Sequence, residues 1–134
     1  MLRHVLIASL VLPFLSALVA SAQPAITAIK DAKPKSSVFK DASLRKPLVI
    51  RSAEQAAKHF GDDALAALKK QVDFEKQIVL IFAWRGSGQD RLTYAVLESY
   101  PEQVPFKYRP GRTRDLRPHV YVYALRSNVR WTAP

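Results

Sequence analysis

Seven apolar residues run without interruption from Ile78 to Trp84, most of them β-branched or aromatic. The run is too short to cross a membrane. It follows a charged stretch and ends at Arg85 and the glycines behind it, so it predicts a strand buried on both faces at the middle of a sheet. Leu48-Val49-Ile50 predicts a short first strand after Pro47. Ser52 then opens a helical region. Ser52 and Gln55 stand at capping-box spacing, where the hydroxyl takes an amide hydrogen and Gln55 reaches back. Ala53, Ala56, Ala57 and Phe60 share one face, and Leu65, Leu68 and Val72 continue the stripe. Gly61 interrupts it, which predicts one kinked helix or two pieces, Ala53–Phe60 and Asp63–Gln71, the second capped by Asp62 or Asp63.

Beyond the central run, Arg85–Arg91 predicts a hairpin turn in which Gly86 and Gly88 supply positive φ. Leu92–Leu97 predicts the third strand. Val104–Arg109 alternates, with Val104, Phe106 and Tyr108 on one face. Pro105 has no N–H to give a ladder, which predicts an edge strand or an edge-facing side. His119–Leu125 predicts the last strand, with Val120, Val122 and Ala124 opposed to His119, Tyr121 and Tyr123. The expected fold is α+β: a mainly antiparallel sheet of about five strands with one kinked helix or helix pair packed on it.

The first 22 residues change the picture of where the chain acts. Arg3 and His4 precede an apolar stretch broken by Pro13 and Ser16, and Ala20-Ser21-Ala22 is a small-x-small cleavage pattern. The expectation is an exported protein, periplasmic or secreted after cleavage near Ala22, with membrane attachment only where the leader is retained. Residues 23–46, with Pro24, Pro34 and many Lys and Ala, are read as a flexible basic tether, and residues 47–134 as one small domain. The chain has no cysteine, so no disulfide framework supports that domain and no thiolate serves it.

Charge narrows the class of partner. The chain of 134 residues carries +10, and loss of Arg3 with the leader leaves +9. Such a balance favours acidic partners over neutral ones. Lys107, Arg109, Arg112, Arg114 and Arg117 fall within eleven residues, near Tyr108, Tyr121 and Tyr123. Guanidinium groups bind carboxylates, sulfates and phosphates through paired hydrogen bonds. The candidate binding residues are therefore Arg85, Ser87, Gln89, Arg91, Arg109, Arg112, Arg114, Arg117, His119 and Tyr121. A structural alternative stands beside this: Asp90 and Asp115 each pin an arginine, and His119 satisfies a backbone group, locking two loops together.

Catalytic chemistry has thin support. Gly86-x-Gly88 lacks a third glycine and precedes a strand, so it is no dinucleotide fingerprint; Ser87 is in no nucleophile elbow. Ser87, His119 and Asp115 can be written as a triad, but any small domain supplies such a set. No metal site or cofactor is expected. The leading expectation is a non-catalytic binding or accessory domain that docks to an envelope or secreted protein through arginine-rich loops. A binder of anionic glycan or another acidic polymer is the alternative, a small hydrolase the third; nucleic acid is not expected.

Val72-Asp73-Phe74-Glu75-Lys76-Gln77 leading into Val79-Leu80-Ile81-Phe82, the turn at Gly86–Gly88 and the closing Pro118-His119-Val120-Tyr121-Val122 together resemble the PrcB-type protease-complex domain, from Leu48 to Arg126. The family's turn carries a Thr-Gly-Gly-Tyr-like motif where this chain has Gly86-Ser87-Gly88-Gln89. The resemblance implies an exported, mostly β accessory domain that binds and stabilises a protease.

Overall fold

The computed structural model describes residues 23–134. The expected leader lies outside the described residues. In chain order the elements are β1 (Ile26–Ala28), α1 (Val38–Asp41), β2 (Leu48–Ile50), α2 (Ala53–Ala57), α3 (Asp62–Gln71), β3 (Gln77–Gly86), β4 (Arg91–Tyr94), β5 (Gln103–Arg109), β6 (Arg117–Arg126) and β7 (Arg130–Thr132). The fold is α+β and dominated by sheet. One sheet has the order β1-β6-β3-β2 and a second the order β4-β5-β7. All pairings are antiparallel except β5 with β7.

Strand β3 is the centre. It pairs with β6 along its whole length, from Gln77↔Arg126 to Gly86↔Arg117, and with β2 on its other side. Its alternation feeds two separate cores. Val79, Ile81 and Ala83 face the helices and join Val38, Ile50, Ala56, Phe60, Leu68, Val122 and Ala124. Ile78, Leu80 and Phe82 face the second sheet and join Leu92, Val104, Phe106, Tyr123 and Leu125. Phe82 meets Phe106 with ring centroids 4.7 Å apart. A strand between two apolar layers has no polar face, which is why the run from Ile78 is unbroken. Burying a side chain such as Phe82 or Leu80 contributes about 1.5–3 kcal/mol each.

The helical region falls into two pieces at Gly61. Ser52 Oγ accepts from the Gln55 N–H at 3.2 Å. Gln55 Oε1 accepts from the Arg51 N–H at 2.8 Å, one residue earlier than a closed capping box requires. Gly61 itself, without a side-chain cap, precedes α3, and Asp62 and Asp63 occupy the first turn. There they complement the positive pole of the helix, as Lys69 and Lys70 complement the negative one.

Four expectations are corrected. Residues 23–46 are integrated with the domain: β1 pairs with β6, and Val38 is fully buried in the helix-side core. Residues with a tether's composition are held because a few apolar side chains at irregular spacing find tertiary partners. Seven strands in two sheets replace about five in one, since β1 and β7, three residues each, are too short to show a period. Strand β5, placed at an edge because of Pro105, is the middle of its sheet. The Pro105 carbonyl accepts from the Ala95 N–H at 3.2 Å; the return bond is the one proline cannot give, and β4 stops at Tyr94. Finally, none of the glycines has positive φ among the described residues.

Candidate functional site

Because β3 pairs with β6 to its last residue, the turn after β3 and the loop before β6 emerge at the same end of the sheet. The two segments, Ser87–Asp90 and Pro110–Leu116, close on each other. Asp90, only 2% exposed, accepts from the Gly111 N–H at 2.7 Å and from the Trp84 indole at 3.1 Å. In return Asp115 accepts from the Gly88 N–H at 3.1 Å. Each aspartate thus binds a backbone amide of the opposite loop. Ser87 Oγ lies 2.5 Å from Thr113 Oγ1 and accepts from the Thr113 N–H at 3.2 Å. Gln89 Oε1 accepts from the Arg112 N–H at 3.2 Å. His119 Nε2 sits 2.7 Å from the Ser87 carbonyl, with its ring stacked on Trp84 at 4.9 Å.

The glycines serve this closure by what they lack. A Cβ on Gly86 would land on Asp90 Oδ2, and one on Gly111 on Ser87 Oγ and Gln89. A Cβ on Gly88 would stand 2.6 Å from Asp115 Oδ2. Close approach of the backbone to a carboxylate at Gly86 and Gly88, and to Ser87 and Gln89 at Gly111, and not left-handed backbone, is therefore what requires glycine here.

The electrostatics follow from these bonds. The Gly111 N–H, assisted by Trp84, holds the Asp90 carboxyl below its ordinary range despite the opposing effect of burial. Thr113, the Gly88 amide and Arg117 bring Asp115 down from 3.8 to about 2. Burial, with Asp90 close by, pushes the Tyr108 hydroxyl up. Burial likewise raises Tyr123 to about 12. Both aspartates are thus fixed as anions, and both are engaged inside the latch.

The residues expected to meet a partner divide accordingly. Ser87, Gln89 and His119 are consumed by the latch. Tyr121 stacks on Trp84 at 5.5 Å and an interplanar angle of 6°, inside the layer between the sheets. Of the two aspartates, Asp115 pairs with an arginine, Arg117, at 3.1 Å, whereas Asp90 serves an amide and an indole. Arg85 stands on the helix side of β3, its guanidinium 4.7 Å from the Phe39 ring, away from the other arginines. Arg91, Arg109, Arg112 and Arg114 are exposed around the latch. The contacts within 4 Å between basic side chains and carboxylates among the described residues are His59–Asp41, Arg117–Asp115 and Arg126–Glu102, so none of these four arginines has a carboxylate within 4 Å. Thr113, Trp84 and Gly111 are latch members that the sequence reading missed. No pattern of period or spacing marks Thr113 or Gly111, since each is defined by the opposite loop, and Trp84 reads in the sequence only as the end of the apolar run although its indole bonds Asp90.

His119 addresses the Ser87 carbonyl and not its hydroxyl, so the serine, histidine and aspartate do not form a relay. Among the described residues no three His, Cys, Asp or Glu side chains gather as metal ligands. A cleft of about 590 Å³ on the helix side of β6, lined by Ile29, Asp31, Ala32, Lys33, Pro34, Pro118, Val120 and Val122, contains no serine, threonine, tyrosine or histidine among its lining residues. No family model, curated protein or solved structure matches the chain.

Proposed function

We propose that this is an exported, non-catalytic binding domain that docks onto an acidic partner in the envelope or among secreted proteins. The arginines around the latched loops form its contact surface. The observation that carries this reading is the imbalance at the rim: Asp90 and Asp115 are spent on loop closure, while Arg91, Arg109, Arg112 and Arg114 keep no counter-ion. A rigid rim bearing unpaired guanidinium groups suits bidentate recognition of carboxylates or other oxyanions, at little ordering cost. The PrcB-type resemblance adds a protein partner, a protease that the domain would stabilise.

The test compares the protein with an Arg112→Glu/Arg114→Glu variant as immobilised bait against extract of its own envelope. Wild type should retain a defined acidic component and the variant should lose it, with unchanged thermal unfolding. Equal retention by both would remove the rim from the contact.

A further inference from the structure

The two exposed strands β4 and β5 pair in a register that sets Arg91 opposite Arg109 and Thr93 opposite Lys107. The alternation of the strands sends Leu92, Val104 and Phe106 into the core between the sheets, so Arg91, Thr93, Lys107 and Arg109 share the outer face. Directly opposed Cβ atoms in an antiparallel pair are about 4.5–5.5 Å apart, and like charges so placed oppose folding. Residues two apart along a strand are separated by about 7 Å. The four side chains line a cleft of about 400 Å³ together with Tyr108. No carboxylate within 4 Å neutralises any of the three cations. The nearest acid in sequence, Asp90, is buried and already bonded to Gly111 and Trp84. One donor of Arg91 returns to the Asp90 carbonyl at 3.3 Å, leaving the rest of its fork free.

We propose that the outer face of β4 and β5 binds the sulfate or phosphate esters of a linear acidic polysaccharide. This deepens the binding reading given above and rests on it. Folding gives no reason to hold three uncompensated cations and a hydroxyl in one cleft; an anion with three free oxygens does. Two guanidinium forks, an ammonium and a hydroxyl supply more donors than one carboxylate can accept, whereas a sulfate or phosphate monoester keeps three acceptor oxygens.

The shape of the face selects a polymer of sugars over other acidic macromolecules. The basic row continues along β5 past Pro105 to Gln103, where β7 places Arg130 alongside. Seven residues of strand make a track of about 20 Å, several sugar units long. Tyr108 is the one aromatic lining this cleft, and the other outward residues, Arg91, Thr93, Gln103, Lys107 and Arg109, are polar, so the track offers little of the aromatic anchoring on which protein interfaces depend. A single tyrosine is likewise no succession of stacking platforms such as single-stranded nucleic acids need.

The experiment measures binding of four probes to the purified protein at low and moderate salt: heparin oligosaccharide, a phosphorylated mannan, polyglutamate of matched charge and duplex DNA. Two variants accompany wild type, Arg91→Gln/Lys107→Gln on the face and Arg112→Gln/Arg114→Gln on the rim. At least one of the two polysaccharides should bind at least about tenfold tighter than polyglutamate and DNA, and the face variant should lose at least about tenfold in affinity, as befits lost bonds to charged groups. Which polysaccharide binds identifies the ester. Unchanged thermal unfolding of the face variant separates the effect from misfolding. Retained affinity in the face variant with loss in the rim variant would overturn the face assignment and leave the binding reading intact. Tighter binding of polyglutamate or DNA would overturn the ligand class. Absence of binding to all four probes, with envelope capture by the rim preserved, would overturn this inference alone.

Discussion

The latched loops and the outer face of β4 and β5 are neighbours with opposite electrostatic economies. In the latch, both acidic side chains are engaged by the chain itself: buried Asp90 holds Gly111 and Trp84, and Asp115, at the surface, holds Gly88 and Arg117. On the face, Arg91, Lys107 and Arg109 stand without counter-charge. Groups in the latch are satisfied by the chain itself and stabilise it. Groups on the face are satisfied only by something else, and their mutual repulsion costs stability. A residue's chemistry therefore does not say whether it builds or binds; the location of its partner does.

That contrast can be broken at its strongest point. Asp90→Ala would strand a half-buried amide and indole N–H without an acceptor, and should destabilise the protein by roughly 2–4 kcal/mol. Chemical denaturation is the measurement. Asp90→Asn, which keeps an acceptor for Gly111, should recover part of the loss. A change below about 0.5 kcal/mol for the alanine variant would mean that the latch is ornamental.

Acid should open the latch more gently. Asp115 is depressed from 3.8 to about 2, and Asp90 is depressed in the same direction. The unfolded chain therefore takes up protons first as pH falls. The stabilising contribution is complete above about pH 4 and is lost as pH drops through the folded value, near 2 for Asp115. Exchange protection of the Gly88 and Gly111 amides should fall over that window. Protection unchanged down to pH 2 would show that the carboxylates do not hold the loops.

The smallest effect has the opposite sign. Arg91→Gln removes half of a like-charged cross-strand pair and should leave stability unchanged or raise it by about 0.2–1 kcal/mol. Thermal unfolding at low salt reads this directly, and the gain should shrink as salt screens the pair. Destabilisation by more than about 1 kcal/mol would place Arg91 among the building residues and erase the distinction between the two regions.

Much of the fold was legible along the chain. The unbroken apolar run at Ile78, the alternation of Val104–Arg109 and of His119–Leu125, and the break at Gly61 all report local periodicity. Local periodicity is what one chain shows without its neighbours. The candidate site was legible only in outline. Its arginines could be counted, but Arg85 points to the helix side, Tyr121 is absorbed into an aromatic stack, and Ser87, Gln89 and His119 turn inward. Thr93 gave no signal alone, because its importance comes from standing opposite Lys107.

Sequence by itself determined that β3 is buried on both faces, that the helical region breaks where it does, and that basic residues cluster between Lys107 and Arg117. These depend on which side chains occur at which period, and hydrophobic burial acts on that pattern directly. Only the tertiary structure decided that residues 23–46 belong to the domain, that β5 is interior despite Pro105, and that the rim aspartates close the loops while Arg117 alone of the rim arginines finds a carboxylate. Those outcomes depend on partners far apart in the chain: β6 for β1, the helix-side core for Val38, β4 and β7 for β5, and, at the rim, backbone amides within about 3 Å of carboxylates more than twenty positions away.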